Sequence, residues 1–295
     1  MADTVTSHFT PEQVNLHTHS WYCGHGTGQL SEYVSSARNT GISVLGFSEH
    51  CPVPDGRWKN SRMTYAQMDS YLQECRTLQA LNHDLHILCG FECDYDARYI
   101  QWYAEHLVDT KKVDYLCFGV HYLVGPDGKE TYIKNLPSQK NWLDLYTDTY
   151  VDGLKSGLFL FGVHPDLFGM FYTEWDKDAE HSARRILSCA AEFDMPLEIN
   201  GYGFRKPQMD TEGGRRLQYP LENFWKLAAE YPVKVILNSD AHRPQDLDLR
   251  NTGAFEFTSK LGIRPYGWSV GRNADTTVLS LSQPLLSFSC IEPLY

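Results

Sequence analysis

A parallel α/β barrel is the fold this sequence predicts, and three observations point to it. Seven short apolar runs recur along the chain, at 13–16, 44–47, 86–91, 115–120, 158–163, 196–199 and 233–237. They are rich in Val, Ile, Leu and Phe, as strands buried on both faces are. Helix-like segments lie between them, and 295 residues leave room for all these units in one closed barrel.

The helical segments follow in order. Residues 31–39 stop at Gly41, and 64–81 carry apolar residues at spacings near three and four. Residues 141–155 end before Gly157, and 178–193 and 221–231 complete the series. Two connections are longer than a barrel needs: 51–63, with two prolines, and 123–140, with Pro126-Asp127-Gly128. Long loops at one barrel face serve as lids or specificity loops. No shift in composition marks a domain boundary, so residues 1–295 are expected to form a single domain. The stretch 252–295 is the least patterned, although 277–281 reads as a further strand.

The apolar fraction of 42 % supplies a sizeable core. A net charge of −11 argues against a duplex nucleic-acid binder with a basic surface. It leaves anionic substrates open, because bound cations reverse a local field. The eight cysteines (Cys23, Cys51, Cys75, Cys89, Cys93, Cys117, Cys189, Cys290) form no C-x-x-C pair, and several lie in apolar stretches, as reduced thiols do. The polar start MADTVTSHFT is not a secretory signal, and no apolar run reaches membrane-spanning length. A cytoplasmic enzyme with free thiols is the expectation.

Each apolar run ends in residues capable of chemistry. His17 and His19 follow the first, Glu49 and His50 the second, and Glu92 the third. His121, His164, Asn200, and then Asp240 with His242 follow the others. In a parallel barrel these strand ends converge on one face, where active sites are built. His17-x-His19 and Asp240-x-His242 place paired donors on one side of an extended chain. Alone, His121 or His164 reads as a core histidine, and Glu92 as a helix cap. Taken together, His17, His19, His25, His50, His121, His164 and His242 are seven of the twelve histidines. Burying so many imidazoles with Glu92 and Asp240 demands a partner, and divalent cations are the natural one. Imidazole with carboxylate suits zinc, manganese or iron. His8, His83, His86, His106 and His181 read as surface or packing residues.

The segments NLHTHS, GFSEHCP, GFECDYD, GVHYL, GVHPDL, EINGYGFRKP and LNSDAH together resemble the PHP (polymerase and histidinol phosphatase) superfamily, and within it the histidinol-phosphatase branch. The likeness runs from about Asn15 to about His242. It implies a distorted (β/α)7 TIM-like barrel of PHP type with two or three divalent metal ions. By resemblance, His17, His19, Glu92 and Asp240 hold one ion. Glu92, as a bridge, holds a second with His121 and His164, and His25, His50 and His242 hold a third. Arg205 in GFRKP matches a phosphate-holding position, with Lys206 beside it. Many relatives carry a second arginine just after the H-x-D-L segment; here HPDLFGMF has none, and Arg184 or Arg185 on the following helix is the substitute considered.

The implied activity is hydrolysis of a small phosphate ester, L-histidinol phosphate in histidine biosynthesis. A hydroxide bridging two metals attacks phosphorus in line. Glu92, Asp240 and His242 are the candidate catalytic residues, with Asp240 or His242 near the leaving oxygen. Arg205 pairs with the non-bridging oxygens. Glu49 either orients a ligand histidine or caps local structure. The rivals are a PHP phosphoesterase with another small-molecule or nucleotide substrate, an amidohydrolase, and a metal-binding module without catalysis. No long nucleic acid and no membrane are expected as partners, and the oligomeric state is not legible.

Overall fold

The computed structural model describes residues 6–272 and 277–282. Seven strands form one sheet: β1 (Val14–Asn15), β2 (Val44–His50), β3 (His86–Asp94), β4 (Tyr115–Gly119), β5 (Phe161–Gly162), β6 (Leu197–Asn200) and β7 (Val235–Asn238). They lie side by side in chain order, and every pairing is parallel. The sheet curls back on itself. Thr18, just past β1, bridges Ala241, just past β7, and Asn238 Oδ1 accepts from the Leu16 N–H at 2.7 Å. The expected seven-stranded α/β barrel is the fold, nearly closed, and each apolar run contributes its strand.

The five expected helices surround it: Leu30–Thr40, Met68–Leu81, Lys140–Lys155, Lys177–Glu192 and Glu222–Ala228. Their ends follow local chemistry. Gly41 adopts φ 77° and donates back to Ala37 and Arg38, closing the first. Asp176 accepts from the N–H groups of Asp178 and Ala179, opening the fourth. That helix buries Ala179, Ala183, Ile186, Leu187 and Ala190, spaced three and four apart. A helical stretch over Ile100–Trp102 and Tyr103–Thr110 was not expected. Within Tyr103–Thr110 only Tyr103 and Leu107 are buried, too thin a stripe to signal a helix.

Alternation along each strand divides the barrel interior into two levels. Near the strand starts it is apolar: Val14, Leu16, Val44, Leu88, Tyr115, Phe161 and Ile236 form one cluster with Trp268 and Val270. Here Gly90 lets the Tyr115 backbone approach; a Cβ would stand 2.5 Å from the Tyr115 carbonyl oxygen. Trp268 comes from an antiparallel sheet of Thr6–Phe9, Gly267–Arg272 and Thr277–Ser282, which seals this end. The strand expected at 277–281 is present; the other two were not expected. The loop 123–140 holds a hairpin, Tyr122–Val124 with Glu130–Tyr132. Seven cysteines are buried free thiols, and Cys290 lies outside the described residues. No helix among the described residues is long and apolar enough to cross a membrane.

Trp268, 2 % exposed, is the seal of the apolar end. Trp268→Ala should destabilise the fold by about 3–5 kcal/mol, as deletions of buried aromatic side chains do, measured by urea unfolding.

Candidate metal centre

At the opposite end, the C-terminal ends of the strands carry a buried polar level. Along β3 the inward positions run Leu88, Gly90, Glu92, Asp94, from apolar floor to carboxylates. Glu92 is 1 % exposed. Its Oε2 faces His17 Nε2 at 3.5 Å, His19 Nε2 at 3.3 Å and His50 Nδ1 at 2.8 Å. Its Oε1 faces His164 Nε2 at 3.0 Å and His121 Nε2 at 3.6 Å. Asp240 Oδ1 stands 3.6 Å from His17 Nε2 and 3.3 Å from His19 Nε2. Two of these residues sit on left-handed backbone, His164 at φ 31° and Asp240 at φ 47°. Such strain costs on the order of 1–3 kcal/mol per residue and is found where a site requires it.

Four of the histidines have one ring nitrogen anchored by a carboxylate or carbonyl. Glu198 Oε1 lies 2.8 Å from His17 Nδ1, and Asp94 Oδ1 lies 3.1 Å from His121 Nδ1. The Asp240 carbonyl meets His242 Nδ1 at 3.1 Å, and the Cys23 carbonyl meets His25 Nδ1 at 3.1 Å. Holding one ring nitrogen by a carboxylate or carbonyl fixes the tautomer and aims the other nitrogen inward, as metal-binding histidines require. His25 Nε2 and His242 Nε2 converge to 2.9 Å.

The fit to cations can be tested on the donors themselves. His17 Nε2, His19 Nε2, Glu92 Oε2 and Asp240 Oδ1 are buried without a hydrogen-bond partner, although they face one another. His50 Nδ1, which faces Glu92 Oε2, is likewise unpartnered. Leaving so many buried donors and acceptors unpaired is costly, and divalent cations satisfy them. Groups able to hold an ion are His17-His19-Asp240, His17-Glu92-His164, His50-Glu92-His121, His19-His50-His242 and Cys23-His25-His242. The nine expected ligands thus converge, but His50 groups with His19 and His242 or with Glu92 and His121, and the exposed His25 pairs with His242.

The electrostatics follow from this crowding. Burial opposes the charge of Glu92 and Asp240, yet the imidazoles around them hold both well below the usual carboxylate range. Burial likewise opposes charge on His19, but the facing Asp240 and Glu92 raise it from 6.5 to about 9. Burial, then proximity to His19, pushes His242 down to about 3.

A cavity of about 300 Å³ opens above these groups. Its walls include Asn60, Ser61 and Arg62 from the first long loop and Tyr122 and Tyr132 from the second. Lys206 lines it, with Nζ 4.0 Å from the Tyr202 ring centroid. Arg205 does not reach the wall: Nη2 donates to the Ser239 carbonyl at 2.7 Å, and Nε is buried without a partner. The substitute arginines considered above also need correction. Arg185 pairs with Asp148, and Arg184 with Glu180 and Glu230, on the outer helix layer, so neither replaces the arginine missing after HPDL. Glu49 points away from His50, as strand alternation dictates, and accepts from the Ser20 N–H at 2.6 Å, a structural role. The other histidines lie elsewhere: His8 meets Ser269, His86 packs on Phe9, His106 stacks on Trp102, and His83 and His181 are exposed.

Sequence reasoning missed Glu198, Asp94 and Arg62. The first two had a signal: an acidic residue inside the four-residue strand LEIN, and the same-face spacing Glu92-x-Asp94. Arg62 had none.

A parallel barrel whose strand ends converge as buried histidines and carboxylates defines a metal-dependent enzyme class. The chain belongs to the PHP domain family, which it matches over residues 15–201. It is 31 % identical over 256 residues to the Deinococcus radiodurans protein named "Probable histidinol-phosphatase", spanning 84 % of this chain and 93 % of that one. It is 25 % identical over 260 residues to the Bacillus subtilis histidinol-phosphatase, spanning 78 % and 94 %. A Lactococcus lactis histidinol phosphate phosphatase, solved with zinc, L-histidinol and phosphate, shares the fold at TM-score 0.62 and 18 % identity, over 86 % of this chain and 95 % of that one.

The raised His19 pKa has a consequence for the chelator-treated protein. A folded value of about 9 against 6.5 unfolded stabilises the fold fully below pH 6.5, and this stabilisation is lost as pH rises through 9. Thermal melts of chelator-treated protein should fall across that window, and His19→Gln should flatten the fall.

Proposed function

We propose that this chain is a metal-dependent phosphomonoesterase that hydrolyses L-histidinol phosphate to L-histidinol and phosphate. The observation that carries the reading is Glu92, buried among five imidazoles, three of which (His50, His121 and His164) line a cavity sized for a small molecule. The family, and named relatives matched over more than nine-tenths of their length, support it. The site would hold two or three ions of zinc, manganese or iron. His17, His19, Glu92 and Asp240 would hold one; Glu92, His121 and His164 a second; His25, His50 and His242 the remaining one. Bound there, the ions supply Lewis acidity toward the phosphoryl oxygens and an acidified water as nucleophile.

The chain's own residues do the rest. Glu92 presents one oxygen to each side of the centre and so fixes the spacing between the two principal groups. His242, neutral near pH 7, serves as a ligand rather than as the acid for the leaving alkoxide. Lys206 would bind the phosphoryl group, since no carboxylate among the described residues pairs with its ammonium and the residue lines the cavity wall. Arg205 would support the loop that carries Asp240 through its bonds to the Ser239 and Asp240 carbonyls. The tyrosines and the two long loops would flank the ester.

Phosphate release from L-histidinol phosphate, beside a panel of small phosphomonoesters and with metal content measured on the same sample, tests the reading. Strong preference for L-histidinol phosphate is the expected outcome. Turnover of other esters instead would move the substrate, and no turnover in a fully metallated sample would overturn the enzyme reading. His17→Ala and Asp240→Ala should lose bound metal and about 10²-fold or more in kcat together, the scale of a lost electrostatic group. Lys206→Ala should lower kcat/KM by about 1.5–3 kcal/mol, mainly through KM, as loss of a charged hydrogen bond does.

A further inference from the structure

Arg62, on the loop 51–63, lines the cavity yet is only 3 % exposed. Its guanidinium is engaged on two sides. Nη2 donates to Asp94 Oδ2 at 2.7 Å, and Nη1 donates to the Cys51 carbonyl at 2.9 Å. The Trp58 ring covers it, with the guanidinium carbon 4.4 Å from the ring centroid. The other Asp94 oxygen, Oδ1, accepts from the His121 N–H at 2.8 Å and meets His121 Nδ1 at 3.1 Å. The chain of contacts therefore runs from the long loop through Arg62 and Asp94 to His121, and it ends at Glu92.

We propose that Arg62 is a positioning residue for the metal centre: it locks the Asp94 carboxylate in the orientation that aims His121 at Glu92. The carboxylate has one oxygen for each neighbour. With Oδ2 held by Nη2 of a guanidinium that is itself fixed at the Cys51 carbonyl and against Trp58, rotation of the carboxylate is restrained and Oδ1 stays on His121. The same guanidinium grips the carbonyl of Cys51, the residue after His50, so one side chain braces two ligands, His50 and His121, at the ends of the strands on either side of β3. A lysine ammonium lacks that flat fork and can serve only one of these acceptors well. The alternative role, direct contact with the phosphoryl group, meets an obstacle: the side chain is 1 % exposed, and both Nη atoms already point at protein acceptors.

The kinetic arm of the test rests on the phosphatase reading; the metal arm does not. Zinc affinity by chelator competition, thermal stability, kcat and KM for L-histidinol phosphate would be measured on the full chain and on Arg62→Gln, Arg62→Lys and Asp94→Asn. Arg62→Gln and Asp94→Asn should each weaken zinc binding by roughly 10–100-fold, the usual effect of removing a group that orients a metal ligand, with kcat reduced and KM unchanged. Arg62→Lys should fall between these and the parent. A raised KM with unchanged zinc affinity would assign Arg62 to the ester and overturn the proposal. So would a lower melting temperature with zinc affinity and both kinetic constants intact. If Arg62→Gln fails to fold, zinc affinity in Arg62→Lys and Asp94→Asn decides. If the parent hydrolyses no ester, the phosphatase reading fails alone, and zinc affinity still decides the role of Arg62.

Discussion

A carboxylate at 1 % exposure, Glu92, is the constraint on which the rest of this structure depends. A buried, unpaired carboxylate is intolerable at neutral pH, so its surroundings must supply positive charge or cations. Here they supply five imidazoles, delivered by the ends of different strands. Those imidazoles are themselves buried and cannot all be charged side by side: His19 is pushed up while His50 and His242 are pushed down. The cluster has more electron-pair donors than protons to share among them. Divalent cations resolve that imbalance, so folding and metal binding draw on the same side chains.

The barrel makes the cluster possible by separating it from the apolar core along each strand. Leu88 and Glu92 are both inward-facing on β3, four residues apart, yet one belongs to the cluster under Trp268 and the other to the centre. Closure between Thr18 and Ala241 brings the first and last ligand pairs together, although they are far apart in sequence. Outside the ligands stands a layer that holds them. Glu198 touches His17 Nδ1, the Asn238 and Asn200 amides and the His164 N–H, and so ties three strand ends to one carboxylate. The left-handed backbone at His164 and Asp240 is sustained by this layer.

How much of this was legible in the sequence depends on whether the signal was local. The strands were, because burial on both faces demands runs of Val, Ile, Leu and Phe. The ligands were, because each follows such a run and the barrel rule does the three-dimensional work. Glu49 stayed open between two readings because adjacency in sequence suggested contact with His50, whereas successive strand residues face opposite ways and its partner is the Ser20 N–H. Arg185 was misread because a helix after HPDL can present a basic residue inward or outward, and its partner Asp148 lies on the neighbouring outer helix. The strand Thr6–Phe9 escaped notice because half its residues are exposed and its partner is more than 250 residues away. Arg62 was illegible because its significance lies wholly in what surrounds it.

The two levels of the site also separate chemistry from selection. Residues after His164 bring no cation to the cavity: Asp166 turns away to accept from the Leu221 N–H and Trp225 Nε1, while Leu167 and Met170 form the wall. Of the basic side chains at that wall, Arg62 is committed to Asp94, which leaves Lys206 facing the cavity. An ammonium is a compact, strongly hydrated charge without the directional fork of a guanidinium. It attracts a phosphoryl group but does little to fix its orientation. On the proposed reading, orientation would come from the cations below and from the rings of Tyr122, Tyr132, Tyr202 and Tyr219, which line the cavity. Such walls contact mainly the organic part of a substrate, through flat apolar faces and a few hydroxyls. On the proposed reading the centre would set which bond breaks, and the two long loops with the tyrosine wall would set which ester is held.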